Sequence, residues 1–266
     1  TLHSLTIQSD GGLNMQFGSS ITASAVDLQG DSGITLGGGG GAWPAFHFLS
    51  GGTLIKSSGT NASVIAPGVF VTASNTSFTV ASGALSLPGN GSTYANCTFS
   101  VAPGTTLNLV PPSQSVVISG VAVGTGGGIV SFSNGTLAAG GSGAELSFPG
   151  DIFHWSGGQL IGPVSNTSAV TISGGGTVSL GGVMYNSSLM RQIGTSSLAI
   201  NWSSRFENLA TGRYELAGYG GLAIGGGGGG WPSFINAGLL LKSSGTNTST
   251  VAVPLFNQGG TIRVDI

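Results

Sequence analysis

The phrase "GTVSL", residues 176–180, decides the fold: a glycine, then Thr177 and Ser179 alternating with Val178 and Leu180. Alternation at period two puts the apolar pair on one side of an extended chain and the polar pair on the other. The phrase returns as "GTLIK" (52–56), "GALSL" (83–87), "GTTLNL" (104–109), "GTLAA" (135–139), "GLAIG" (221–225), "GLLLK" (238–242) and "GTIRV" (260–264). The terminal "TIRVDI" continues the pattern, with Ile262, Val264 and Ile266 on one face. Each run is short and gives way to Gly, Asn, Ser or Pro, the residues of tight turns. A β-sandwich needs longer strands and ordinary polar hairpins. Short strands and turns at such spacing instead predict an all-β, elongated parallel β-helix (β-solenoid) of roughly 20 residues per coil. The one stretch with helical character, "NSSLMRQIG" (186–194), is too short and Ser-rich to stand as a helix.

Composition agrees. Of 266 residues, 51 are glycine and only 14 are charged, six basic and eight acidic. Mean hydropathy is +0.36, which excludes the low-hydrophobicity, high-charge signature of disorder. Glycine shows no three-residue period, so collagen is excluded. No apolar run approaches the ~20 residues of a membrane helix, and no basic amphipathic segment suits a membrane surface. Scattered basic residues make no phosphate-tracking patch, so neither nucleic acid nor membrane insertion is expected. In a stacked coil, low charge has a reason: like charges repeated every ~4.8 Å would repel.

A longer period lies over the short one. Residues 20–46 align without gaps to 208–234, with 11 of 27 positions identical. "GGGGGAWPAF" from Gly37, carrying Trp43, Pro44 and Phe46, meets "GGGGGGWPSF" from Gly225, carrying Trp231, Pro232 and Phe234. "LIKSSGTNAS" (54–63) then meets "LLKSSGTNTS" (240–249), and the match runs on to Val80/Ile266. The chain thus reads as one long repeat, 1–188, followed by part of a second, 189–266, in one continuous solenoid. The Gly-rich segments lack the Lys-Ser/Thr of a phosphate loop. They are expected to be ordered excursions pinned by Trp-Pro-x-Phe, and places where neighbouring chains touch. Lys56 and Lys242 occupy the same repeat position and are expected to bond carbonyls at a turn.

The segments "WSSRFENLATGRYELAG" (202–218) and "FINAGLLLKSSGTNTSTVAVPLFNQGGTIRV" (234–264) resemble a repeat of very large extracellular proteins, similar to adhesin and filamentous-haemagglutinin-like β-solenoids. "FHWSGGQLIG" (153–162) and "AVTISGGGTVSL" (169–180) look like coils of the same kind. The resemblance implies structural or adhesive work with no catalytic residues to transfer. The first copy departs: "FHFLSGGTLIK" replaces "FINAGLLLK" and loses its Asn, so an asparagine ladder at that corner would be interrupted.

Nine of the fourteen asparagines open an N-x-[ST] triplet: Asn61, Asn75, Asn90, Asn96, Asn134, Asn166, Asn186, Asn201 and Asn247. That exceeds what chance supplies, and N-linked glycosylation would place the chain on a secretory route. A bacterial chain would carry the triplets unused. The single cysteine, Cys97, allows no intrachain disulfide and suits a small buried position. The chain opens on Thr1 with no signal segment, as expected of a processed chain or a window of a longer one.

Catalytic chemistry is not expected. Asp27 and Asp31 form the one close acidic pair, and Asp31 becomes Tyr219 in the second copy. The remaining acids, including Asp10, and His3, His47 and His154 show no metal-ligand spacing. No cofactor is implied. Trp43, Trp155, Trp202 and Trp231 would suit sugar stacking, although packing on the solenoid explains a Trp-Pro pair as well. The sequence therefore points to an extracellular or cell-surface structural glycoprotein that builds or decorates a filament, appendage or matrix. Its partners would be further repeats or copies of itself, head-to-tail or lateral, and N-linked glycans. The alternative is an adhesive carbohydrate-binding module.

Overall fold

The computed structural model describes residues 1–8 and 11–265; Asp10 and Ile266 lie outside them. The described residues contain strands and turns and no helix. The chain winds into a parallel β-solenoid of about 11 turns with roughly 23 residues per turn, slightly longer than the sequence spacing suggests. Every strand pairing is parallel.

Each turn crosses three faces in a fixed order. The first face includes Phe70–Ser74, Ser92–Ala95, Thr177–Gly181, Ser197–Ile200 and Leu222–Ile224. The second begins with Leu5–Ile7 and continues through 25–28, 53–56, Ser77–Val80, Thr98–Val101, 120–126, 144–147, Val164–Asn166, Val183–Asn186, Arg205–Asn208, Ser233–Asn236 and Leu255–Asn257. The third runs from Leu13–Met15 and Ile34–Leu36 to Leu189–Gly194, Arg213–Gly218, Leu239–Ser244 and Thr261–Val264. Leu189–Gly194 is therefore a strand, in line with the rejection of a helix there. The first two faces fuse into one sheet because Ser20–Leu28, Ala45–Lys56, Ser115–Gly126 and Thr136–Ser147 run through the corner between them. Two of these strands shift register there, between Ala23 and Ala25 and between Ile118 and Gly120.

Alternation sets the interior. In Thr177–Gly181, Val178 and Leu180 are buried while their neighbours face out. The inward positions stack as ladders: Phe78 lies over Phe99 at 5.5 Å, and Phe206 over Phe234 at 4.9 Å with rings 8° apart. Tyr214 meets both Phe206 and Phe234 edge-on. Each fully buried ring contributes about 1.5–3 kcal/mol through apolar area alone. Gly124 breaks one ladder for a reason: a Cβ there would strike the ring of Phe148, which fills the space. Asparagine holds several corners at positive φ, Asn75 at 52°, Asn90 at 53° and Asn96 at 51°, a conformation its short polar side chain tolerates.

Candidate functional site

Four features stand out from the plain coil. The first is an asparagine ladder inside the second face. Asn166, Asn186, Asn208 and Asn236 are buried to within 1% and stand in successive turns. Each Nδ2 donates to the Oδ1 of the next rung, at 2.7, 2.8 and 2.8 Å, and Asn236 donates to Asn257 at 2.8 Å. Each also donates to a backbone carbonyl of the next turn: Leu189, Arg213, Leu239 and Thr261. The ladder is directional and satisfied throughout, as a buried polar row must be. At its last rung, Asn257 turns its Nδ2 back to Gly260 of its own turn. In the first copy the matching position is Phe48, whose ring joins Phe46 and Phe78, but it lies on the first face, so it does not interrupt the ladder as the sequence led us to expect; the ladder simply begins at Asn166, next to Leu146.

This ladder corrects two of the nine glycosylation candidates. Asn166 and Asn186 are at 0% exposure with Nδ2 inside the coil, so the folded chain has no room for a glycan on either. Asn61, Asn75, Asn96, Asn134 and Asn247 are exposed, and Asn90 and Asn201 are half-buried. These seven sit at turns on all three corners. The sequence signal for the ladder was one Asn per coil two residues after a large apolar residue, Val164, Met184, Phe206, Phe234 and Leu255 in turn; the N-x-[ST] triplets at Asn166 and Asn186 concealed it.

The second feature is a buried lysine corner, built twice. Lys56 Nζ donates to the carbonyls of Gly30 and Ser58, and Lys242 Nζ to those of Gly218 and Ser244. The carbonyl-bonding role expected for both lysines is what the structure holds. Asp27 accepts from the Ser57 hydroxyl and Glu215 from that of Ser243, each at 2.5 Å. The copies differ at one point. Asp31 lies 3.4 Å from Lys56 and accepts the Asn61 side chain at 2.7 Å. Tyr219 replaces it in the second copy, its ring centre 5.9 Å from Lys242 Nζ. The Asn61 side chain, above all, holds the Asp31 carboxyl below its ordinary value.

The third is the Gly-rich loop, also built twice. Gly39 and Gly41 stand at φ 138° and 135°, and the matching Gly227 and Gly229 at 111° and 124°. Side chains rarely adopt that backbone, which explains why both copies keep glycine there. The loops end alike: Trp43 packs on Phe17 at 5.1 Å and Trp231 on Trp202 at 4.7 Å. Pro44, Pro232, Phe46 and Phe234 are buried, so Trp-Pro-x-Phe does pin the excursion to the coil. The two tryptophans still show 51% and 67% of their surface to solvent. Trp155, by contrast, lies at 1% exposure against Phe132 and cannot meet a sugar.

The fourth is the last turn. Phe256, Ile262 and Val264 are 52%, 52% and 61% exposed, and Ile262 and Val264 line an apolar cavity of about 320 Å³ together with Leu216, Leu240 and Val251.

The carboxylates are dispersed. Asp27 and Asp31 serve different partners in the lysine corner, Asp151 meets His154 at 3.3 Å, and Glu207 pairs with Arg205. Glu215 lies between Arg191 and Arg213. Among the described residues no three His, Cys, Asp or Glu side chains gather. Cys97 is buried, and burial pushes its thiol up to about 11. Comparison with protein-family models, characterised proteins and solved structures finds no match. The class defined here is therefore the parallel β-solenoid with a long internal repeat.

Proposed function

We propose that the chain is a segment of an extracellular structural rod, N-glycosylated at exposed corners, which builds or decorates a filament, appendage or matrix by stacking coils. One observation carries this reading: within a single unbroken coil the same buried lysine corner and the same glycine loop are each built twice. A coil that repeats its own corners extends by stacking like on like, as a rod does. Electron microscopy of native material tests the reading: long rods are expected, and compact particles with closed ends would overturn it. Intact-glycopeptide mass spectrometry tests the compartment. Occupancy is expected among Asn61, Asn75, Asn96, Asn134 and Asn247, and none at Asn166 or Asn186; nine unmodified sites would favour a bacterial surface protein.

The exposed Trp43 and Trp231, each backed by a second ring, favour one alternative, an adhesive module that stacks sugar rings. Glycan binding that is lost on Trp43→Ala and Trp231→Ala would support it. An unresponsive glycan array leaves the rod.

A further inference from the structure

Repeat partners do not share a face. Leu28 lies on the second face and its partner Leu216 on the third. Phe46 lies on the first, and Phe234 on the second. Lys56 ends a second-face strand, and Lys242 belongs to the third face. Ile65 bridges to Ile34 on the third face, while Val251 bridges to Leu222 on the first. Each of these four pairs has moved by one face in the same sense.

The count along the axis agrees. On the second face, counted from Leu5–Ile7, Leu28 stands in the second strand and Asn208 in the tenth, eight turns later. Leu216 follows one face further on. We infer that the repeat advances the solenoid by eight and one-third turns, so that each successive repeat presents its Trp-Pro loop and its Asn61-type corner on the next side of the rod. The inference rests on the rod reading for its extension beyond this chain. Within the chain it stands on the two copies alone.

The dimensions follow from strand spacing. At ~4.8 Å per turn, eight and one-third turns make an axial step of about 40 Å, and three repeats return the loop to its starting side after about 120 Å. Identical loops therefore wind around the rod as a three-fold screw. A repeat with a whole number of turns would line every loop along one edge and suit a flat ribbon. The one-third remainder instead gives lateral contacts in three directions, which suits a bundle. It also distributes glycans at the Asn61 and Asn247 positions over different sides.

The repeat alignment supplies the test. Because Ile266 aligns with Val80, a longer rod is the whole chain followed by a second copy of residues 81–266. Cysteine replaces Gly40, Gly228 and the third loop's equivalent glycine. A Cβ at Gly40 or Gly228 meets nothing within 4 Å, and Cys97 is buried away from reagent. Maleimide-gold labelling and electron microscopy should show three beads stepping about 40 Å along the axis, each on a different side. Beads in a single line would overturn the inference. The unextended chain with Gly40→Cys and Gly228→Cys should show two beads on different sides. If it does so while the extended chain forms no rod, the rod reading fails and the one-third step within this chain survives.

Discussion

Asn208→Ala removes the middle rung of the asparagine ladder. Asn208 is 1% exposed; it accepts from Asn186 at 2.8 Å and donates to Asn236 at 2.8 Å and to the Leu239 carbonyl at 3.2 Å. Alanine leaves the Asn236 Oδ1 without that donor and the Leu239 carbonyl without its side-chain bond. Asn186 keeps one acceptor, the Arg213 carbonyl. A buried group left unsatisfied costs about 1–3 kcal/mol, and each ordinary bond lost about 1 kcal/mol. The sum is about 3–4 kcal/mol, with a small cavity added. Asn257→Ala cuts the same kind of rung at the exposed end, where water replaces the lost partner, and should cost less than about 1 kcal/mol. Solenoids unfold segment by segment, so a global midpoint averages the effect away. Hydrogen exchange resolves it locally. Amides of 205–218 and 233–242 should exchange about 100- to 1,000-fold faster in Asn208→Ala, while those of 98–109 stay unchanged. Equal effects of Asn208→Ala and Asn257→Ala, or acceleration spread over the whole chain, would refute a ladder that stabilises by buried hydrogen bonding.

The other features make their own predictions. Lys242→Met keeps most of the apolar stem of the side chain but removes the donor to Gly218 and Ser244, and should destabilise the last turns by about 2–4 kcal/mol, read as a lower urea midpoint for their exchange; an unchanged midpoint would show the lysine to be incidental. The folded-state pKa of Asp31 lies below its ordinary 3.8, so its contribution is complete above that pH and is lost as pH falls through the lowered value. Acid should therefore loosen the 28–61 corner before the 216–247 corner, where Tyr219 takes the place of Asp31; simultaneous loosening by hydrogen exchange would contradict this. Cys97, 2% exposed with its thiol pushed up to about 11, should ignore a thiol-reactive disulfide reagent at pH 8 until the chain is unfolded. Rapid reaction in the native state would place it at the surface.

The coil was legible in "GTVSL" and its kin because period-two alternation is a local property that one sequence displays in full. The lysine corner was legible because Lys56 and Lys242 stand out in so uncharged a chain, and a lone cation kept in two copies needs acceptors. The order of the glycine loop followed from its repetition, although the alternating positive φ at Gly39, Gly41, Gly227 and Gly229 needed the backbone. Asn166 and Asn186 were misread because an N-x-[ST] triplet says nothing of which side of a strand the asparagine faces. The one-third turn was out of reach, because the sequence gives the repeat length but not the perimeter of each coil. That perimeter varies with the corners, as the 12-residue strands through the first corner show.

The rod itself is tested most directly by cryo-electron microscopy of native material, read for particle length and axial periodicity. The about 11 turns of this chain span about 50 Å at ~4.8 Å each. Unbranched rods many times that length, with a ~4.8 Å repeat along the axis, are the predicted result. Compact particles no longer than this chain, or rods whose strands run along the axis, would contradict it.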